Sequence, residues 1–221
     1  AQNYVHQVLV LNEGHFDYTT NQSVVPPTIG SYNPVTQIYT TVDTISGARF
    51  ASDMIIEGEY IYVAADNYLY KYDKNDYSLI SSQYVTGIRN IAVWNDKIIV
   101  TRGDYDNVTF MPVLFNSYLQ MFNTSDLSFY MEIDTVVGPK WATQNMIVNG
   151  NTLYVAINNG FEWGNEKGLI GIVDFCPEPV TAKQPGDGFS SKFWKKWFAH
   201  DGVFLERSHF DFLNGMFEAI E

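Results

Sequence analysis

Apolar residues fall in short runs separated by polar turn residues, and one order of run and turn recurs along the chain. The copies span residues 47–85, 87–136 and 138 to about 175. Each opens with glycine, any residue, then a basic side chain: Gly47 and Arg49, Gly87 and Arg89, Gly138 and Lys140. Two apolar runs follow across a turn at Gly58, Asp96 or Gly150, namely 54–56 and 60–64, 91–94 and 98–101, and 146–148 and 153–157. Glycine and aspartate tolerate the left-handed backbone of tight hairpins, so each pair predicts two antiparallel strands. A third strand, 68–73 or 118–123, ends in Asp73 or Asn123 and leads through a polar turn to a fourth. The tracts 68–79 and 118–129 align without a gap, and partial copies stand at 29–33 and 169–174. The runs are rich in Tyr, Val, Ile and Thr, the residues that half-buried strands favour.

Four short strands per unit, at a period of roughly 40 to 50 residues, is the arithmetic of a β-propeller. The predicted fold is all-β, a partial propeller of about three and a half blades over residues 1–175, followed by a non-propeller segment, 176–221. That segment contains none of the fifteen tyrosines and opens with Pro177, Pro179, Pro185, Gly186 and Gly188, which read as a linker. Phe193, Trp194, Trp197 and Phe198 then have helical spacing, with Lys192, Lys195 and Lys196 between them, and a second helix is predicted over 210–220. The apolar face suits capping of an open blade edge; a membrane-surface or partner-binding helix, or foreign sequence, are the other readings.

With 221 residues, 46% of them hydrophobic, the chain has the makings of a sizeable core. A formal net charge of −12 argues against a nucleic-acid partner, whose backbone is bound by clustered Lys and Arg. No apolar run approaches the roughly 18 residues of a membrane helix. The single Cys176 forms no internal disulfide, and the order Ala1, Gln2, Asn3 resembles a mature terminus left by signal-peptide cleavage. The expected location is therefore outside the cell or on its surface.

Several segments in order carry a resemblance: 8–14 (Val-Leu-Val-Leu-Asn-Glu-Gly), 31–36, 50–53, 60–66 and 100–103. Together they resemble the exported YncE-like β-propellers (YVTN, or surface-layer type) of Bacteroidota, over about residues 5–175. The resemblance implies a secreted or cell-surface protein, and capture of a corrinoid is among the functions it suggests. Members usually have seven blades, so this chain supplies about half; a second copy or another partner is expected to complete the ring.

In a propeller, residues just before the innermost strand approach the mouth of the central channel. Arg49, Arg89 and Lys140 belong there, either as an anion-binding mouth or paired with carboxylates of neighbouring loops. Loops 12–17, 66–67, 102–107 and 158–163 emerge on the same side and carry aromatic and amide groups suited to a flat, polar organic ligand. The candidate ligand-binding residues are Arg49, Arg89, Arg102, Tyr105, Trp141, Asn158 and Trp163. The leading expectation is non-enzymatic binding of a small organic molecule, such as a corrinoid or a glycan, without a cofactor. A lactonase-like hydrolase or lyase using Glu13, His15 and Asp104 is the alternative, and a structural module without ligand is the third. Asp104, Asp106 and Asn107 offer oxygen ligands for calcium but lack the glycine and glutamate of a full calcium loop. The four histidines lack zinc spacing, and no nucleophile elbow or phosphate loop occurs.

Overall fold

The computed structural model describes residues 7–106, 108–109, 111–140, 143–157 and 168–175. All its regular elements are strands: β1 (Val8–Asn12), β2 (His15–Asp17), β3 (Gln22–Val25), β4 (Thr28–Asn33), β5 (Ile38–Thr44), β6 (Ala51–Glu57), β7 (Tyr60–Ala65) and β8 (Tyr68–Asp73). They continue as β9 (Leu79–Tyr84), β10 (Ile88–Trp94), β11 (Lys97–Arg102), β12 (Ser117–Asn123), β13 (Phe129–Asp134), β14 (Thr143–Asn149), β15 (Thr152–Ile157) and β16 (Leu169–Asp174). Two complete blades, β6-β7-β8-β9 and β10-β11-β12-β13, stand between two three-stranded sheets, β1-β4-β5 and β14-β15-β16. All pairings are antiparallel. The hairpin β2-β3 is inserted into the first sheet. The expected helices of 176–221 lie outside the described residues. Among the described residues, no helix is long and apolar enough to cross a membrane.

Strand periodicity explains why the middle blades are apolar on both faces. Successive side chains of a strand point to opposite sides. On β7, Ile61, Val63 and Ala65 pack toward the first sheet with Ile29 and Ile45, while Tyr62 and Ala64 join Ile98, Val100 and Phe122 of the third. On the third sheet, Ile99, Leu119 and Met121 meet Leu153, Val155 and Ile157 of the fourth. Each large aliphatic side chain so buried contributes about 2 kcal/mol of transfer free energy. The core is thus three apolar layers between four sheets, as expected of propeller blades.

The innermost strands β6, β10 and β14 each carry a register shift against the next strand, at 51/53, 88/91 and 143/146. The shift turns polar groups of one inner strand toward the next. Asp53 accepts from the Ile91 amide at 2.9 Å, and Ser52 donates to the Arg89 carbonyl at 2.5 Å. Thr143, fully buried, donates to the Tyr118 carbonyl at 2.8 Å. The bonds of Ser52 and Asp53 fix the spacing of β6 and β10, and that of Thr143 ties β14 to β12 of the third sheet, which together set the residues at the leading ends of the inner strands.

Candidate functional site

The Gly-x-basic segments enter β6 and β10 through glycines with positive φ, 84° at Gly47 and 67° at Gly87. Glycine adopts that conformation without the penalty a Cβ brings. It swings Arg49 and Arg89 to one end of the blades, where they line a mouth of ≈ 290 Å³ with Tyr18, Phe50, Asp104 and Tyr105. A Cβ on Gly87 would lie 2.9 Å from Cζ of Phe115 and 3.2 Å from Cβ of Asp104, whereas one on Gly47 meets open space. Gly87→Ala is accordingly expected to cost about 2 to 3 kcal/mol, against about 1 kcal/mol for Gly47→Ala, in parallel urea titrations.

The two arginines differ in their partners. Arg49 Nε donates to Asp66 Oδ1 at 2.7 Å, Nη2 stands 2.5 Å from the same oxygen and 3.9 Å from Asp104, and the guanidinium lies 5.3 Å from the Phe50 ring centre. Burial disfavours its charge, but the hydrogen bond and attraction to Asp66 outweigh this and raise its pKa. Arg89 donates from Nε to the Gly103 carbonyl at 3.1 Å. Its two terminal amino groups have no hydrogen-bond partner among the described residues. Burial pushes the Tyr105 phenol pKa up, and the Arg89 charge partly offsets this.

The segment between β11 and β12 forms one wall. The Gly103 amide donates to the Gly87 carbonyl at 2.8 Å, Val113 to Asp104 at 2.9 Å and Asp106 to Met111 at 3.0 Å, while Tyr105 and Pro112 form a bridge. Asp106 caps its own turn, accepting from the Val108 and Thr109 amides and the Thr109 hydroxyl. Those bonds, led by the Thr109 amide, hold its carboxyl below the usual range.

Three of the sequence-selected residues, Arg49, Arg89 and Tyr105, thus meet at one mouth. Arg102 takes another course. It donates to the Thr86 carbonyl at 2.9 Å and the Ser117 carbonyl at 3.0 Å, and its guanidinium lies 4.2 Å from the Phe115 ring centre. Burial lowers its pKa. Arg102 braces the base of the loop, and its neighbour Asp104 supplies the mouth. Trp141, Asn158 and Trp163 lie outside the described residues, as does Asn107. Lys140, Glu13 and His15 do not line the mouth. Among the described residues no three His, Cys, Asp or Glu side chains converge as a metal site.

Sequence reasoning missed Tyr18 and Phe50. Tyr18 stands in the turn of β2-β3, its ring edge-on to Phe16 with centroids 5.0 Å apart. The alternation of Phe16 and Tyr18, followed by Thr19, Thr20 and Asn21 before Val24 and Val25, was the available signal for that hairpin; Asn21 has φ 55°.

A family model described as the LVIVD repeat matches residues 48–70. That stretch holds Arg49, Phe50 and Asp66, with β6, β7 and the start of β8. No curated protein matches the chain. Among solved structures, a chain titled "KlHsv2 with loop 6CD replaced by a Gly-Ser linker" is 11% identical, with 57% of this chain and 35% of that one covered and a TM-score of 0.37. A chain of "Crystal Structure of Mitotic Checkpoint Complex" is 10% identical, with 76% and 52% covered and a TM-score of 0.50. This chain therefore spans about a third and about half of the lengths of those two. At such identity the likeness concerns fold alone, and with the repeat match and the bladed sheets it makes this an all-β chain of β-propeller blades.

Proposed function

We propose that the chain is a non-enzymatic binding module whose ligand, a small polar organic molecule, sits in the mouth formed by Arg49, Phe50, Arg89 and Tyr105. The observation that carries this reading is the state of Arg89: it lines a cavity with Tyr18, Phe50, Tyr105, Asp104 and Asp106, and its terminal amino groups have no hydrogen-bond partner among the described residues. Guanidinium groups of that kind take anionic oxygens in two-point hydrogen bonds, and the flanking rings suit a flat or apolar ligand surface. A ligand with both features, such as a corrinoid bearing a phosphodiester or an acidic glycan, fits the mouth. The resemblance to exported YncE-like propellers supports the corrinoid and a location outside the cell or on its surface. Further blades, from a second copy or another partner, complete the ring in this reading by covering the outer sheets, where Val8, Ile147 and Ile170 are exposed.

Calorimetric titration of the purified chain with cyanocobalamin and with an acidic oligosaccharide tests the proposal. Binding with a Kd in the micromolar range is expected for one of them. Arg89→Ala is expected to weaken it at least about 30-fold, the loss of a charge-assisted bond of about 2 kcal/mol, with the unliganded melting temperature little changed. Binding that survives Arg89→Ala, or no binding by either probe, rejects this mouth as the site. Turnover of a lactone that depends on Asp104 favours the hydrolase alternative.

A further inference from the structure

A second groove opens between the first and second sheets, on the other partner of the Arg49–Asp66 ion pair: Arg49 lines the mouth and Asp66 lines the groove. Its volume is ≈ 360 Å³. One wall is an aromatic ladder on a single face of β8. Tyr72 is 2% exposed in the core, Tyr70 is half-buried above it, and Tyr68 is 40% exposed at the rim. Tyr70 lies 6.2 Å from Tyr72 and 5.8 Å from Tyr68, ring centre to ring centre, with the planes tilted by 33° and 38°. Tyr84, directly across from Tyr68 on β9, meets it edge-on at 5.3 Å and extends the rim. The ladder leaves Tyr68 propped from beneath and from the side, a ring held in place with part of its surface exposed.

The polar groups around this ladder have capacity to spare. Asp66 gives its Oδ1 to Arg49 and to Asn67, and its Oδ2 has no hydrogen-bond partner among the described residues. The hydroxyls of Ser46, Ser82, Tyr68 and Tyr70 likewise have none among them. The charge of Asp66 is balanced by Arg49, and among the described residues no Lys or Arg lines the groove. An anion therefore gains no cation there, and a cation competes with Arg49 for one carboxylate.

We infer that this groove is a subsite for a neutral pyranose ring, with its C–H face against Tyr68 and its hydroxyls bonded to Asp66 Oδ2 and Ser82. A sugar ring matches the two demands together. It offers an apolar face to an aromatic plane and a rim of hydroxyls that both donate and accept, as a carboxylate oxygen and serine hydroxyls require. The subsite is separate from the mouth ligand and does not depend on it.

The test uses the purified chain and hexasaccharides of glucose, mannose, galactose and N-acetylglucosamine, titrated by calorimetry with saturation-transfer NMR as a second readout. One of the four is expected to bind with a Kd of about 1 mM or tighter. Tyr68→Ala weakens that binding about tenfold, Tyr68→Phe leaves it within about twofold, and Arg89→Ala leaves it unchanged. Ser82→Gln, an exposed position where a longer side chain fills the groove, abolishes it and guards against misfolding of the tyrosine variant. The subsite is overturned if none of the four binds, or if binding survives both Tyr68→Ala and Ser82→Gln. Sensitivity to Arg89→Ala alone would move the sugar to the mouth, which rejects the groove and leaves the proposed function standing.

Discussion

Tyr62→Ala is expected to lower the free energy of unfolding by about 4 kcal/mol. Domains of ordinary stability have about 5 to 15 kcal/mol in all, so the variant sits near the limit of folding. The side chain is 1% exposed and packs among Ala64, Leu69, Ile98 and Phe122 in the layer between the two complete blades. Its hydroxyl donates to the Thr124 carbonyl at 3.2 Å, a bond from one blade to the next. Truncation therefore removes aromatic contacts, opens a cavity and unpairs that bond together. Urea denaturation reads the effect as a lowered midpoint with the slope retained. Tyr62→Phe keeps the ring and is expected to cost about 1 kcal/mol. It also carries a pH signature. Burial, with the nearby Tyr60 and Glu57, pushes the Tyr62 phenol from 10.0 up to about 12. The unfolded chain releases that proton above pH 10 while the folded chain keeps it, so this contribution is intact below pH 10 and falls by about 1.4 kcal/mol per unit until about pH 12. The stability difference between the parent and Tyr62→Phe should vanish at about pH 11 and reverse in favour of the phenylalanine by about pH 12. A difference constant from pH 8 to 12 would mean that the phenol is not buried as described.

Lys71→Met is expected to cost about 2 to 3 kcal/mol by the same titration, although the methionine is close in volume and more apolar. Lys71 is 3% exposed, and Nζ donates to the Thr124 and Ser125 carbonyls at 2.8 Å each while standing 3.8 Å from the Tyr60 ring centre. The ammonium thus spends its hydrogens on the neighbouring blade and on an aromatic face. Methionine keeps the packing, strands the Ser125 carbonyl and leaves the Thr124 carbonyl to the Tyr62 hydroxyl alone, which is why an apolar replacement destabilises here. Lys71 and Tyr62 both donate to Thr124, so their effects should not add. In a double-mutant cycle with Tyr62→Phe, a coupling of at least about 0.5 kcal/mol is expected. Independent effects would contradict the shared acceptor.

The blade repeat was legible because turn chemistry and strand alternation agree at each unit. Gly58 and Gly150, read as hairpin turns, have φ of 58° and 59°, and Asn95 stands at 52° beside the turn assigned to Asp96. The inner strands were read about three residues short: β6 begins at Ala51, β10 at Ile88 and β14 at Thr143. Their register shifts interrupt the alternation that marks a strand, so Asp53, Asn90 and Gln144 fell outside the predicted runs, although Asp53 accepts from the Ile91 amide and from Asn90 and so joins β6 to β10. Arg49 and Arg89 reached the mouth because Gly47 and Gly87, both at positive φ, turn the chain as it enters a blade; Gly138 is not among the positive-φ glycines, and Lys140, at the same spacing, does not line the mouth. Arg102 did not, because it lies within β11 and finds backbone carbonyls of its own blade. The Asp66 partner of Arg49 was visible as a turn residue, but pairing across a strand pair leaves no mark in local sequence. Tyr18 belongs to an insertion that the repeat itself does not predict.

Within each complete blade, every strand pairs with its neighbour in sequence, β6 with β7, β7 with β8 and β8 with β9, and likewise from β10 to β13. Each such sheet closes through loops of a few residues, apart from the segment before β12. The contact order inside a blade is therefore low, and the entropy of closing those short loops is small. The apolar layers between sheets, with the hydrogen bonds that cross them, join residues far apart in sequence, and each layer is shared by two adjacent sheets. Such a chain assembles by addition: one hairpin meander forms, offers its face, and the next condenses on it. Its folding speed is then governed by one blade and the interface it makes, not by the number of blades.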